Sequence, residues 1–348
     1  MNPYVLAIFL SSLGLGTTLT FASSHWLLAW MGLEINTLAI LPLMAQQHHP
    51  RSVEATTKYF LAQATAAATI LFASMTNAWI MGEWSITHMS HPIATIMVTT
   101  ALAMKVGLAP MHFWMPPVLQ GLDLTTGLIM ATWQKLAPFA LLIQMAPTTH
   151  PTLLMTLGLL SAMIGGWGGM NQTQLRKMLA YSSIAHLGWM IIVMQFMPQL
   201  TALTLSIYII MTSAAFLTFK LLLSTKINTL ALTWSKAPII TTTTALILLS
   251  LGGLPPLTGF MPKWLILQEL TKQELPLTAT ILALTALLSL YFYLRLCYAM
   301  TLTIAPSTNN ATTPWRLTNT QTTLPLAIST VLSLTLLPLT PAIQALVY

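Results

Sequence analysis

Four charged side chains lie deep inside apolar stretches of this sequence: Glu34, Lys105, Lys135 and Lys263. A charge at the centre of a bilayer costs about 2.5–3.5 kcal/mol even on a permissive insertion scale, so four such groups in one chain need a reason. Burial and neighbouring charges tune the proton affinity of an amine, so lysines at such sites can exchange protons near neutral pH. The residue types therefore predict a proton relay.

Glu34 is the deep carboxyl group, in the segment WMGLEINTLAIL, and it would not remain ionised there alone. Lys105 is its natural partner because it directly precedes the interruption VGLAP. A carboxylate–ammonium pair that opens and closes could act as a switch, with Lys135 and Lys263 continuing the relay.

Two histidines fall inside predicted spans. His112 comes seven residues after Lys105 and shares a helix face with it if the helical phase continues through the interruption. His186 follows three residues whose hydroxyls could hold a chain of waters: Tyr181, Ser182 and Ser183. A hydrogen-bonded packing role is the alternative for both histidines. Two scattered histidines and one distant carboxylate form no recognisable metal site.

Charged side chains near the ends of spans have a simpler explanation, because a long stem can lie along the helix while its charge reaches the interface. Lys220 and Arg295 fit this explanation, each within about two turns of a predicted end. Lys105 and Lys135 lie too near the middle of their spans. For Lys263, which is less central, both interpretations stay open.

The composition indicates a protein dissolved in lipid. Of its 348 residues, 55% are hydrophobic and 5% are charged, whereas a soluble domain carries about 25% charged residues. The apolar runs are too long for barrel strands, so the spans are helices. The single cysteine excludes a disulfide within the chain and any Cys-built metal or iron–sulfur site. We attribute the net charge of +7 to topology and expect no nucleic-acid partner.

About eleven transmembrane helices are predicted. They cover residues 3–21, 24–44, 58–80, 93–120, 125–145, 151–170, 176–196, 199–222, 239–271, 277–302 and 323–345. The fourth and ninth are long and are interrupted by VGLAP and LGGLPP. Such breaks are tolerated where protein or a wet cavity satisfies the freed backbone groups, and a matching pair of them marks a transporter's working site.

The spacing of the two interruptions predicts a duplicated five-helix unit, whose second copy must be inverted because five is odd. We therefore expect one transmembrane domain over residues 1–348, with a first bundle over about 1–145, a second inverted bundle over about 151–302, and a final helix over 323–345. The pair Gly165 and Gly169 in GGWGG predicts close helix packing.

Basic residues are biased to the loops on one side of the membrane. Seven fall on the side of the N-terminus: Arg51, Lys58, Arg176, Lys177, Lys226, Lys236 and Arg316. Lys272 falls on the other side. The N-terminus should therefore face the compartment of synthesis and the C-terminus the opposite one. The absence of an Arg-rich presequence suits a protein made inside the organelle whose membrane it enters.

Several motifs resemble the antiporter-like membrane subunits of respiratory complex I, the proton-translocating NADH:ubiquinone oxidoreductase. They are GLAPMHFWMP, ATWQKLAPF, RKMLAYSSIAHLGWM and LSLGGLPPLTGFMPKW, and their order matches the family over the whole chain. The resemblance implies an all-α integral membrane protein of two inverted five-helix repeats, each with one discontinuous helix, in the mitochondrial inner membrane.

The resemblance also implies roles for six relay residues. Glu34 and Lys105 would form the charge pair of the first half-channel, Lys135 would be the central lysine, His112 and His186 would be relay positions, and Lys263 would lead to the exit.

The implied cofactors lie outside this chain: NADH, FMN, iron–sulfur clusters and ubiquinone would act elsewhere in the parent complex. The implied partners are neighbouring membrane-arm subunits. Because the chain lacks the first three helices of the wider family, we also expect a groove filled by another subunit or by lipid such as cardiolipin.

Two alternatives to proton translocation stay open. The chain could be a structural subunit whose buried charges only fix packing and assembly. It could also be a stand-alone cation/proton antiporter, although it lacks an Asp/Glu pair suited to Na⁺.

Overall fold

The computed structural model describes residues 2–46, 48–302 and 323–347, and over these ranges its regular structure is helical. Two isolated β-bridges add to the helices, His25 with Ser85 and Gln174 with Lys226. The prediction of an all-helical membrane protein is confirmed. Arg316 and the loop around it lie outside the described residues.

The chain divides into two compact units. The first comprises Met1–Ser161 with Met194–Pro198, and the second Ala162–Val193 with Gln199–Tyr348. The first unit contains α1 (Pro3–Ala22), α2 (Trp26–Met44), α3 (Pro50–Met81), α4 (Pro92–Val106), α5 (Met115–Gly121), α6 (Leu124–Ala131) and α7 (Trp133–Met145). Helix α8 (Pro151–Gly169) crosses the division. The predicted bundle limits at 145 and 151 stay a prediction.

The second unit contains the remaining helices. They are α9 (Leu175–Met194), α10 (Pro198–Leu221), α11 (Ile227–Ala231), α12 (Thr233–Lys236), α13 (Pro238–Gly252), α14 (Phe260–Lys272), α15 (Pro276–Thr301), α16 (Leu324–Thr335) and α17 (Thr340–Val347). Within this unit α13, α14 and α11 pack on α15, and α16 packs on α13. Within the first unit, α1 packs on α2, α3 on α4 and α5, and α7 on α4.

Eight helices of the described residues are long and apolar enough to cross a membrane when α6 and α7 are counted together as Leu124–Thr148. The number is nine if the bent pair at the end of the chain is counted as one span. The shorter apolar helices α4 and α13 are the first halves of the two interrupted segments. The predicted number of eleven spans stays a prediction.

Both interruptions occur where the sequence predicts them, and both begin in the same way. Gly107 (φ +89°) ends α4 and donates its backbone N–H to the Ala103 carbonyl at 2.9 Å. Gly253 (φ +81°) ends α13 and donates to Leu249 and Ser250. Only glycine adopts this left-handed conformation without steric cost, so each glycine terminates its helix cleanly.

The predicted start of the third span at residue 58 is wrong. Helix α3 begins at Pro50, where His49 Nδ1 accepts a hydrogen bond from the Arg51 N–H at 3.2 Å. Proline is favoured at the first helical position. The added turns carry the ion pair between Glu54 and Lys58. Hydropathy alone predicts that Arg51 and Lys58 lie in a loop. That prediction is wrong, because both residues lie in α3.

The sequence predicts one continuous final helix over 323–345, but the structure interrupts it. Helices Leu324–Thr335 and Leu337–Ile343 meet at an angle of 65°. The second segment begins with a short 3-10 turn, Leu337–Leu339, which directly precedes α17. Pro338 lies in that turn and cannot donate a backbone hydrogen bond, which favours the bend.

Close packing at the predicted Gly165 and Gly169 pair is visible in the second unit. A Cβ atom on Gly165 would lie 2.5 Å from the Ala185 nitrogen and 2.8 Å from the Tyr181 carbonyl oxygen. On Gly169 it would lie 2.8 Å from the Phe292 ring. The backbones of α8 and α9 therefore touch at Gly165.

We expect Gly165→Val to lower the free energy of unfolding by at least the usual cost of overpacking, about 1–3 kcal/mol, because backbone cannot yield as a side chain can. Gly14→Val is the matched control, since a Cβ at Gly14 meets nothing within 4 Å. Thermal unfolding of the membrane-extracted protein measures both. Equal midpoints for the two variants would contradict the close approach of α8 and α9.

Candidate functional site

The interruption after α4 leaves carbonyl groups that its own helix no longer satisfies. Trp114 Nε1 donates to the Met104 carbonyl at 3.0 Å, and Gln63 Nε2 donates to the Lys105 carbonyl at 3.3 Å. Both donors are neutral side chains. The Lys105 ammonium is therefore not needed to satisfy the backbone.

Lys105 lies in the last turn of α4 and is 5% exposed. Its Nζ has no hydrogen-bond partner within residues 2–46, 48–302 and 323–347. A buried ammonium without a hydrogen bond is costly, so this group calls for a nearby charge or a water.

A polar cavity of about 20 Å³ adjoins Lys105 and also reaches Lys135 on α7. Five other polar side chains line it: Asn36, Thr37, Tyr59, Gln63 and Gln134. A cavity of this size holds about one water, and it offers more than the two to four polar partners that a buried water needs. The structure thus brings two of the predicted relay lysines to a single cavity.

The sequence analysis did not predict the junction between α6 and α7. The predicted span 125–145 consists of two helices, α6 and α7, which meet at Thr132. The Thr132 backbone (φ −114°, ψ −67°) departs from helical values. Lys135 follows in the first turn of α7 and is 2% exposed, so it is held deep in the first unit.

Three buried amide side chains at this site were missed by the sequence analysis. Gln134 Nε2 donates to Asn36 Oδ1 at 3.3 Å, and Gln63 binds the Lys105 carbonyl. A signal existed: Asn36 follows Glu34 by two residues, and Gln134 directly precedes Lys135. Uncharged amides deep in predicted spans are therefore candidate site residues, as charged residues are.

Glu34 does not form a closed ion pair with Lys105. Ion pairs within 4.0 Å join Lys58 to Glu54 and Lys272 to Glu269, and none among the described residues includes Glu34 or Lys105. Glu34 Oε2 is buried, and no described residue offers it a hydrogen bond. In the structure the predicted pair of Glu34 and Lys105 is therefore not in contact.

His112 lies outside any helix, in the turns that join α4 to α5. The expectation that it shares a helix face with Lys105 is wrong, because residues 107–114 do not continue the helical phase. Its imidazole is buried, packs on Phe113 with ring centroids 4.5 Å apart, and hydrogen-bonds to the Pro110 backbone. His112 does not line the cavity of Lys105 and Lys135.

His186 lies half-buried on α9 beside Tyr208, with ring centroids 5.8 Å apart. The hydroxyl of Ser183 donates to the Ala180 carbonyl at 2.7 Å and also forms a hydrogen bond with Tyr208. The predicted hydroxyls near His186 are therefore present, and they bind protein groups. The sequence analysis missed Tyr208 and Tyr293, which are both fully buried.

Lys263 lies in the first turns of α14 and donates from Nζ to the Gly252 carbonyl at 2.7 Å. That carbonyl belongs to the C-terminal end of α13, where a cation is favoured by the helix dipole. Lys263 also borders a largely apolar cavity of about 350 Å³. The contact with Gly252 gives this charge a structural role that does not require proton transfer.

The end-of-span cations behave differently from each other. Lys220 is exposed in the last turn of α10, as expected for a side chain that reaches the interface. Arg295 Nη1 instead donates to the Met170 carbonyl at 2.6 Å, just beyond the end of α8. Arg295 is half-buried and reaches the end of α8, and the explanation that it extends towards the interface stays a prediction.

Metal binding receives no support from the described part of the chain. Within it, no group of three or more His, Cys, Asp or Glu side chains could hold a metal ion.

Two models of known protein families match the chain. Residues 23–289 match the family model described as NADH:quinone oxidoreductase/Mrp antiporter, TM, and residues 290–344 match NADH dehydrogenase subunit 2 C-terminus. NADH-ubiquinone oxidoreductase chain 2 of Carassius auratus is 75% identical over 346 residues, which cover 99% of each chain.

Two solved structures share the fold. A chain of respiratory complex I from Thermus thermophilus with bound aureothin matches with a TM-score of 0.85 and 28% identity, over 98% of this chain and 79% of that one. A chain of the Mrp complex from Dietzia sp. DQ12-45-1b matches with a TM-score of 0.83 and 14% identity, over 96% and 74%. The second likeness concerns the fold alone.

The amide pair at the cavity can be tested by a double-mutant cycle. Gln134→Leu should lower the free energy of unfolding by about 1–3 kcal/mol because it leaves Asn36 Oδ1 without its donor. The pair Gln134→Leu and Asn36→Leu should show a coupling energy of about 0.5–3 kcal/mol in thermal unfolding. Gln199→Leu, at an exposed position, is the control. Additive effects would show that the contact carries no energy.

Proposed function

The chain belongs to the antiporter-like family of NADH:quinone oxidoreductase membrane subunits, and we propose that it moves protons across the mitochondrial inner membrane. It is a multi-pass membrane-arm subunit of NADH–ubiquinone oxidoreductase, related over its full length to chain 2 of that enzyme. NADH, FMN, the iron–sulfur clusters and ubiquinone belong to the parent complex, so redox energy must reach this chain through neighbouring subunits.

The polar cavity between Lys105 and Lys135 is the observation that carries this proposal. An ammonium at Lys105 donates a proton to the cavity water while that water gives one to a neutral amine at Lys135. One proton moves and the water is regenerated. Two ammonium groups around one water repel each other, so a proton arriving at one lysine favours release from the other.

The pair of Glu34 and Lys105 serves as the switch in this proposal. When the pair is closed, the carboxylate holds the proton on Lys105. When it is open, that attraction weakens and the proton can pass towards Lys135. This role is supported by the lack of a hydrogen-bond partner for both Lys105 Nζ and Glu34 Oε2 among the described residues, which corresponds to the open state of the pair.

The second half of the relay is proposed through His186 and Lys263. The hydroxyls of Ser183 and Tyr208 beside His186 support it, because hydroxyls both donate and accept hydrogen bonds. The role of His112 rests on the family resemblance alone. So does the division into two inverted repeats, to which the matching glycine ends of α4 and α13 add support.

A structural role is the second candidate, and two contacts favour it. Lys263 binds the Gly252 carbonyl and Arg295 binds the Met170 carbonyl, so two half-buried cations contact the ends of helices. In this alternative the buried charges fix packing and assembly only. Neighbouring membrane-arm subunits are the proposed partners in either case, together with lipid such as cardiolipin.

Lys135→Met should reduce the number of protons translocated per NADH oxidised, because methionine fills a similar volume but carries no proton. Lys220→Met is the control, since it removes the same group from an exposed position. Proton uptake into vesicles and NADH oxidation are measured together and normalised to the assembled complex.

This experiment distinguishes proton translocation from a purely structural role. An unchanged proton-to-NADH ratio in assembled Lys135→Met complexes, with less complex assembled, would favour the structural role. A lower ratio with normal assembly supports the relay.

The proposed orientation places the N-terminus on the matrix side. An added cysteine at Asn171 should then react with an impermeant maleimide from the matrix side, and one at Gln273 from the intermembrane-space side. Both positions are exposed, whereas the native Cys297 is buried and provides the background. Inside-out particles and mitoplasts give the two measurements, and the reverse pattern would overturn the orientation.

A further inference from the structure

The interruption after α13 is bound to the final part of the chain through one buried hydroxyl. Thr258, which is 1% exposed, donates its hydroxyl hydrogen to the backbone carbonyl of Ser333. Ser333 lies in the last turn of α16, where carbonyl groups have no intrahelical donor. Because Ser333 is fully buried, its carbonyl depends on a donor from the protein, and Thr258 supplies it.

This hydrogen bond differs from the usual one made by a hydroxyl on a transmembrane helix. Thr218, which is also fully buried, donates to the Ala215 carbonyl of its own helix at 2.9 Å. Such a local bond adds to a backbone that is already satisfied. Thr258 instead reaches a residue 75 positions further along the chain. Its hydroxyl therefore joins two elements that the sequence holds far apart.

The residue after Thr258 connects the same interruption to the end of α13. A Cβ atom on Gly259 would collide with the Ser250 carbonyl oxygen, so the two backbones touch. One turn later, Lys263 of α14 donates to the Gly252 carbonyl at 2.7 Å. Thr258, Gly259 and Lys263 thus form a continuous series of contacts from α16 to the end of α13.

The C-terminal segment contacts α13 at further points. The Cys297 thiol donates to the Ala245 carbonyl at 3.7 Å, and the Thr244 hydroxyl donates to Met300 Sδ at 3.9 Å. Helix α16 also packs on α13. Cys297, Met300 and α16 all lie within residues 290–344, the segment that matches the model of the subunit 2 C-terminus. This segment therefore packs against the first half of the second interrupted helix.

We propose that Thr258 is a positioning residue, which anchors the interruption to α16 and thereby holds Lys263 at the Gly252 carbonyl. Only Gly259 and the first turn of α14 separate Thr258 from Lys263, so a displacement of Thr258 moves the lysine. The final helix then serves the relay without carrying a proton itself. This inference rests on the proposed role of Lys263 in proton transfer.

Thr258→Val keeps the shape of the side chain and leaves the Ser333 carbonyl without its donor. In assembled complexes we expect amide hydrogen exchange over residues 253–261 to become about fivefold faster or more, because a buried acceptor loses its partner. The proton-to-NADH ratio should fall towards that of Lys263→Met. Thr258→Ser retains the hydroxyl and should restore both quantities.

Thr218→Val is the matched control, since it removes an equally buried hydroxyl whose acceptor carbonyl keeps its backbone donor within α10. It should change neither the exchange over residues 253–261 nor the ratio. Thr258→Ala removes the same hydroxyl and replaces Thr258→Val if the valine variant does not assemble.

The anchoring and the relay can fail separately. Unchanged exchange in Thr258→Val would overturn the anchoring. Faster exchange with an unaltered ratio, while Lys263→Met lowers the ratio, would overturn the positioning role and leave the proposed function standing. An unaltered ratio in Lys263→Met also overturns the inference. If Lys135→Met leaves the ratio unaltered as well, the proposed function itself fails. Equal loss in Thr258→Ser and Thr258→Val would show that the hydroxyl is not the cause.

Discussion

Every backbone and charged group inside hydrocarbon needs a partner supplied by the protein, and the two interruptions meet this constraint in different ways. After α4, the neutral donors Trp114 and Gln63 satisfy the freed carbonyls. After α13, the ammonium of Lys263 binds the Gly252 carbonyl itself. The first solution leaves the Lys105 charge available for other interactions, and the second commits a charge to the backbone.

The position of the polar cavity follows from the first solution. Because Lys105 is not needed by the backbone, its charge must be met by Glu34 or by water, and a polar cavity of about 20 Å³ lies beside it. Lys135 lines the same cavity from the first turn of α7, just after the junction with α6 at Thr132. Each of the two lysines thus lies within a turn of a helix end, and amide side chains line the space that they share.

Sequence reasoning succeeded where a property is local. The apolar runs, the glycine interruptions and the depth of Lys105 depend on neighbouring residues along the chain. It failed where partners are distant: Gln134 and Asn36 are 98 residues apart, and Gln63 and Lys105 are 42 apart. Nothing in a single sequence specifies which helix faces meet. The prediction that His112 shares a helix face with Lys105 failed for a related reason. A Gly/Pro interruption indicates that a helix ends, but it does not predict the path that the chain takes next.

The contact between Lys263 and Gly252 connects charge to backbone conformation. A charge-assisted hydrogen bond is about twice as strong as a neutral one, so a change in the protonation of Lys263 changes how firmly the end of α13 is held. Gly253 stands directly after that end with φ +81°, in a conformation that glycine leaves and enters at little cost. A change in the protonation of Lys263 would therefore be thermodynamically linked to the stability of this helix end. The contact that supports a structural role for Lys263 is also the contact through which a change in its protonation would alter the stability of the end of α13.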